Sequence, residues 1–136
     1  MLPVAVRPRL ATETVGWLTT LRPDGAPHVT PVWFVFDADA DADADGDAFW
    51  IGMDSGSVKS RNLFRDGRVA LALEDGNRPV VAEGRARLHG TNLPRAVLDA
   101  FRDKYDWDLS VPEPGGGERV VAEVTVTRWL LVGVAR

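Results

Sequence analysis

The 136-residue chain contains no cysteine. Thiol nucleophiles, thiolate zinc sites and iron–sulfur clusters are thereby excluded, and no disulfide is available to exploit an oxidising compartment. Lysine is almost as scarce: only Lys59 and Lys104 occur among 16 basic residues, the others being arginine. The two histidines, His28 and His89, each fall in an expected strand with no acid or nucleophile at diagnostic spacing. Both read as hydrogen-bonded or surface imidazoles, no metal site is expected, and His28 is a candidate substrate contact only because it stands three residues before Pro31. No apolar run approaches the ~18 residues that cross a bilayer. A net charge of -4 and a pI near 5.1 provide no basic field for nucleic acid. The N-terminal MLPVAVRPRLATET lacks the basic, apolar and small-residue order of a signal peptide, so a cytoplasmic protein is expected. Chemistry must therefore come from oxygen and nitrogen groups or from a borrowed cofactor.

What is present reads as a single mainly β domain over 1–136. VGWLTTL (15–21) is a strand stopped by the turn Arg22-Pro23-Asp24-Gly25, and APHVTPVWFVF (26–36) is a second, largely buried strand. Pro31 cannot donate to a ladder, which places a bulge or a sheet edge there. AFWIGM (48–53) is a third strand. GRVALALED (67–75) suits burial on both faces, and PVVAEGRARLH (79–89) follows a turn at Asp75-Gly76-Asn77, with Gly84 marking a bulge or close backbone contact. RVVAEVTVTRW (119–129) alternates as the last long strand. Two helices are expected, over 58–65 and over 93–105, the second with Leu93, Val97, Leu98 and Phe101 at helical spacing. So many strands in so short a chain favour closure into a barrel, since an open sheet leaves exposed edges.

The acidic tract DADADADADGD (37–47) opens like a calcium loop at Asp41, Asp43, Asp45 and Gly46, but its twelfth position is Gly52 where a bidentate glutamate is needed. A mobile, solvated hairpin tip is the plainer expectation.

The stretch IGMDSGSVKSRNL (51–63) places Lys59 and Arg61 just after Ser55-Gly56-Ser57, where a helix begins. Backbone N–H groups of a Gly-containing turn, a helix N-terminus, the hydroxyls of Ser55 and Ser57 and two cationic heads all favour a phosphate, with Asn62 able to support the turn or the ligand. Equally, Ser57 can simply N-cap a surface helix whose solvated face carries Lys59 and Arg61. Spacing alone leaves both open.

The segments WLTTLRPDGAPHVTPVWFVF (17–36), SGSVKSRNLFRDGRVALALED (55–75), VVAEGRARL (80–88) and FRDKYDWD (101–108) occur in an order that resembles the pyridoxamine 5'-phosphate oxidase-like split-barrel flavoproteins, specifically the actinobacterial branch that uses the deazaflavin coenzyme F420. The resemblance implies a six-stranded antiparallel split β-barrel that forms a homodimer, with the cofactor in a groove between subunits. It implies that Ser57, Lys59, Arg61 and Asn62 hold the cofactor phosphate, that Thr30, Pro31, Val32 and Trp33 line the ring system, and that Gly52 and Met53 lie beside it. Hydride transfer between reduced F420 and an unsaturated small-molecule acceptor is the implied activity. FMN is the alternative cofactor, and a non-catalytic flavin- or tetrapyrrole-binding dimer is the alternative role. The family's helix ahead of the first strand is expected to be shortened or unformed. Trp17, Trp50 and Trp129 read as core or interface residues, and Arg85 and Arg87 either as exposed strand residues or as contacts from a partner subunit to an anionic cofactor tail.

Overall fold

The computed structural model describes residues 2–36 and 47–136, so the acidic repeat and its calcium-like pattern lie outside the described residues. Three helices and seven strands follow one another as α1 Val6–Thr12, β1 Gly16–Leu21, β2 Pro27–Val32, β3 Val35–Phe36, β4 Ala48–Asp54, α2 Val58–Arg65, β5 Arg68–Leu73, β6 Val81–His89, α3 Arg95–Tyr105 and β7 Arg119–Leu130. All strand pairs are antiparallel, in the order β2-β1-β5-β6-β7-β4-β3. The two ends of that order, β2 and β3, are consecutive in the chain and separated only by Trp33 and Phe34. Chain connectivity therefore draws the sheet's edges together, and the sheet curls into a barrel whose seam is not hydrogen-bonded. This is the split barrel expected from sequence, with the two-residue strand β3 and a third helix added.

The inside of the curl holds the main core, in which Leu18, Phe34, Phe49, Ile51, Leu71, Ala122 and Val124 are buried. A second cluster lies outside it, where Val97 and Phe101 of α3 pack on Val35, Trp50 and Val121. Strand β4 thus carries Phe49 and Ile51 into one core and Trp50 into the other. It is β4, rather than the 67–75 segment, that is buried on both faces; β5 buries Val69, Leu71 and Leu73 on one side only. No helix among the described residues is long and apolar enough to cross a membrane.

One further expectation needs correction. The 26–36 segment is not one largely buried strand. Residues 27–31 are half-buried or exposed, Pro31 pairs in register with Trp17, and the break falls at Trp33 and Phe34. The edge position expected for Pro31 does hold, since β2 ends the sheet and a missing N–H there breaks no interior ladder. The N-terminal helix, expected to be shortened or unformed, is present in short form. Pro8 sits in its first turn, where the lost N–H would be unpaired anyway, and Val6 and Leu10 bury one face at i, i+4 spacing. Its open C-terminal carbonyls are met from a distance: Lys104 Nζ donates to Leu10 O at 3.2 Å. Gly84 behaves as expected, at a register shift where a Cβ would collide with the Thr125 carbonyl.

Candidate functional site

The turn from β4 into α2 is built by its own short side chains. Ser57 caps the helix, its Oγ accepting from Ser60 N at 3.2 Å and donating to Asp54 O at 2.7 Å. Asp54 accepts from Gly56 N at 2.7 Å and from Gly117 N at 2.5 Å, and Ser55 Oγ accepts from Glu118 N at 3.2 Å. These bonds stitch the glycine-rich 115–117 segment onto the turn, and at Gly116 and Gly117 a side chain would run into Asp54 or Ser55.

Lys59 and Arg61 leave this helix in different directions. At about 100° per residue, positions two apart diverge by roughly 200°. Lys59 lines a recess of about 240 Å³ together with Val15, Pro31, Val32, Trp33, Gly52 and Trp107. Arg61 instead lines a hollow of about 410 Å³ on the other side, with Ser55, Ser60, Phe64 and His89 among its neighbours. The recess brings together Lys59 and four of the other residues singled out from sequence, drawn from β2, β4 and the β2–β3 break. Thr30 and Met53 do not reach it. Thr30 pairs with Leu18 and Met53 is buried in the main core. Asn62 turns inward, its amide nitrogen donating to the buried Thr20 Oγ1 at 3.0 Å and its oxygen accepting from Arg65 at 3.1 Å.

The electrostatics of the recess centre on Lys59. Among the described residues its ammonium has no hydrogen bond or ion pair. Burial pushes its pKa below the usual lysine value, and the nearby Asp54 carboxylate opposes that shift. A half-buried, unpaired cation beside apolar walls is an anion site in waiting.

The aromatic wall is held just as specifically. Trp33 stacks on Tyr105 at 4.7 Å and 9°, and meets Trp107 edge-on at 5.5 Å and 82°. Tyr105 Oη accepts from Phe34 N at 3.0 Å and lies 2.9 Å from the carbonyls of Phe34 and Thr14. Lys104 donates to Phe34 O at 3.1 Å with its ammonium 3.9 Å over the Phe34 ring, and burial lowers its pKa to about 8 despite Glu13 nearby. Helix α3 thus clamps the backbone at the strand break and sets where Trp33 stands. Val15 and Trp107 were not anticipated. Trp107 sits in the loop after α3, where no periodicity reports which way a side chain faces; only its nearness to the helix end hinted at it.

Elsewhere, His89 Nε2 lies 2.9 Å from Glu123, which also pairs with Arg87 at 3.0 Å. His28 is half-buried with Nδ1 lacking a partner among the described residues. Trp50 is buried against α3, Trp129 packs near Phe36 and Phe49, and Trp17 is exposed beside Glu74. Arg85 lines an open hollow with Arg68 and Glu83.

Comparison with known proteins agrees with this architecture. A family model described as pyridoxamine 5'-phosphate oxidase matches residues 2–133. An F420H(2)-dependent biliverdin reductase from Mycobacterium tuberculosis is 34% identical over 124 residues, covering 89% of this chain and 81% of that protein. A solved F420 reductase superposes with a TM-score of 0.71 at 25% identity, over 95% of this chain and 98% of the other. The heme storage protein HutZ from Vibrio cholerae superposes with a TM-score of 0.71 over 93% and 92% of the two chains, and at 13% identity shares the fold alone. With most of its length matched by the family model and by a relative of this similarity, the chain belongs to the pyridoxamine 5'-phosphate oxidase family.

Proposed function

We propose that the protein is a reductase dependent on coenzyme F420, acting in the cytoplasm on a conjugated small-molecule acceptor. The observation that carries this reading is the Lys59 ammonium, half-buried and unpaired among the described residues, on the wall of an otherwise apolar and aromatic recess. The residues fit the group: a flat heterocycle with an anionic tail needs one desolvated cation and flat apolar surfaces, and both are there. Reduced F420, when bound, would supply the hydride. Lys59 grips its phosphate, Pro31, Val32, Trp33 and Gly52 flank its ring and exclude water, and the Ser55–Ser57 turn holds Lys59 in place. Arg61, across the helix, lines a separate hollow and takes no part in gripping that phosphate. A single cation in the recess suits the singly charged phosphodiester of F420 better than the phosphomonoester of FMN, whose charge near neutral pH is about -1.5 to -2.

The assembly that completes the site is a homodimer. Trp17, Val29 and Pro31 lie on one outer face by their register and are exposed, Val29 by 56% and Trp17 by 40%. An apolar face of this kind at a sheet edge suits burial against a second copy.

Titration of the purified protein with F420 and with FMN, read by absorbance and fluorescence, tests the cofactor. Turnover of reduced F420 with enones, quinones and biliverdin tests the reaction; biliverdin heads the panel because a relative 34% identical acts on it. Binding of F420 with turnover of at least one conjugated acceptor is expected. Absence of F420 binding would remove the reading, and binding without turnover would leave a carrier rather than an enzyme.

A further inference from the structure

Trp107 is held on several sides by β4, two aromatic rings and a guanidinium. A Cβ on Gly52 would stand 2.8 Å from its ring, so the indole rests directly against the backbone of β4. Phe101 meets it edge-on at 5.6 Å and 84°, Trp33 at 5.5 Å and 82°. The guanidinium of Arg119 covers it at 4.7 Å. Arg119 is an expensive support: its side chain is 7% exposed, its Nε has no partner among the described residues, and its Nη2 reaches only Val111 O at 3.2 Å and an exposed Glu113 at 3.6 Å. A buried, partly satisfied charge adds little to stability. What it does is hold an indole that lines the recess. Trp107 forms one wall of that recess, and because Phe101, Trp33, Arg119 and the β4 backbone hold it, substituents added on that side of a ring meet a fixed indole.

We propose that Trp107, held by Arg119, sets the width of the recess and selects a deazaflavin ring without methyl groups over a 7,8-dimethylated flavin. This rests on the reading that the recess holds the cofactor's ring. Trp107 is the specificity-determining residue, and Arg119 positions it.

Equilibrium dissociation constants for F420 and FMN, measured by fluorescence titration on the wild type and on Trp107→Phe, Trp107→Ala and Arg119→Lys, test it, with circular dichroism and melting confirming that each variant folds. The wild type is expected to prefer F420, and Trp107→Ala to narrow that preference by about tenfold or more through a gain in FMN affinity, the usual worth of one or two methyl groups in an apolar pocket. Arg119→Lys keeps the charge but loses the stacking plane, and is expected to move the ratio the same way by a smaller factor. If Trp107→Ala does not fold, a shift of the ratio in Trp107→Phe decides the matter. An unchanged ratio in the folded variant, or equal loss of both affinities, overturns the inference while leaving the functional reading intact. A wild type that binds FMN as tightly as F420, or binds neither, removes both.

Discussion

Replacing Lys59 by methionine removes the charge and keeps most of the stem, so its consequence for binding can be worked from the recess itself. One charge-assisted hydrogen bond is worth about 1.5 to 3 kcal/mol, or about 10- to 150-fold in Kd. The whole of that range is available because the ammonium has no internal partner among the described residues to compete with a ligand. Stability should behave differently. Burial lowers the Lys59 pKa, so between its folded and ordinary values the unfolded chain binds more protons, and the charge disfavours folding. The melting temperature of the ligand-free variant is therefore expected to match or exceed that of the wild type. The same shift means that cofactor binding by the wild type declines on the alkaline side at lower pH than an ordinary lysine would dictate. Arg61→Ala, on the far side of α2, is expected to change the Kd by less than about threefold, since an exposed charge at a distance is screened. Isothermal titration with F420 and thermal melts without it supply the measurements. A Kd for Lys59→Met within about twofold of wild type, or a clear loss of stability, refutes the reasoning; an Arg61 effect as large as that of Lys59 restores a joint phosphate cradle.

Asn62→Ala leaves the buried Thr20 hydroxyl without its donor and should cost about 1 to 3 kcal/mol in urea unfolding, a loss below about 0.5 kcal/mol telling against a structural role. Gly84→Ala forces a methyl group into the Thr125 carbonyl at the bulge and should cost about 2 to 3 kcal/mol, read from the denaturation midpoint. Lys104 titrates near 8 in the folded chain against 10.5 ordinarily, so in that window the unfolded state holds the extra proton and the lysine's contribution to stability rises with pH. Tyr105, its pKa raised by burial, acts in the opposite sense above 10.0. The wild type should therefore gain melting temperature relative to Lys104→Met from about pH 7 to about pH 9.5; a constant difference would show that the ammonium is not desolvated.

The strands and hairpins could be read because the forces that make them are local. Arg22-Pro23-Asp24-Gly25 turns as its composition requires, with Arg22 N donating to Ala26 O at 2.9 Å and Gly25 at φ +86°, and the Asp75 turn closes likewise with Arg78 N donating to Asp75 O. The break within VWFVF was hidden for the opposite reason. Nothing in that apolar run marks Trp33 and Phe34; the backbone is held there by Lys104 and Tyr105, some seventy positions away. Whether α1 would be short or unformed stayed open, because seven residues with two buried positions show too little periodicity. In the site, Ser57 was legible as a cap. The divergence of Lys59 and Arg61 was legible too, from helical geometry alone, but a phosphate reading grouped them by proximity in sequence.

Both lysines now have a reason to be lysines. The arginines Arg7, Arg9, Arg68, Arg78 and Arg87 each pair with a carboxylate, using the planar fork that suits such a partner. Lys104 must instead send hydrogen bonds from one point to two carbonyls on different segments while sitting over an aromatic face, and a compact tetrahedral head can do this where a flat one cannot. Lys59 presents one charge on a half-buried side chain at a small recess, where Asp54 is near enough to favour the charged form without an ion pair between them. Both lysines are point donors held where burial lowers their pKa; carbonyl oxygens meet the charge at Lys104, and at Lys59 no hydrogen-bond partner among the described residues does.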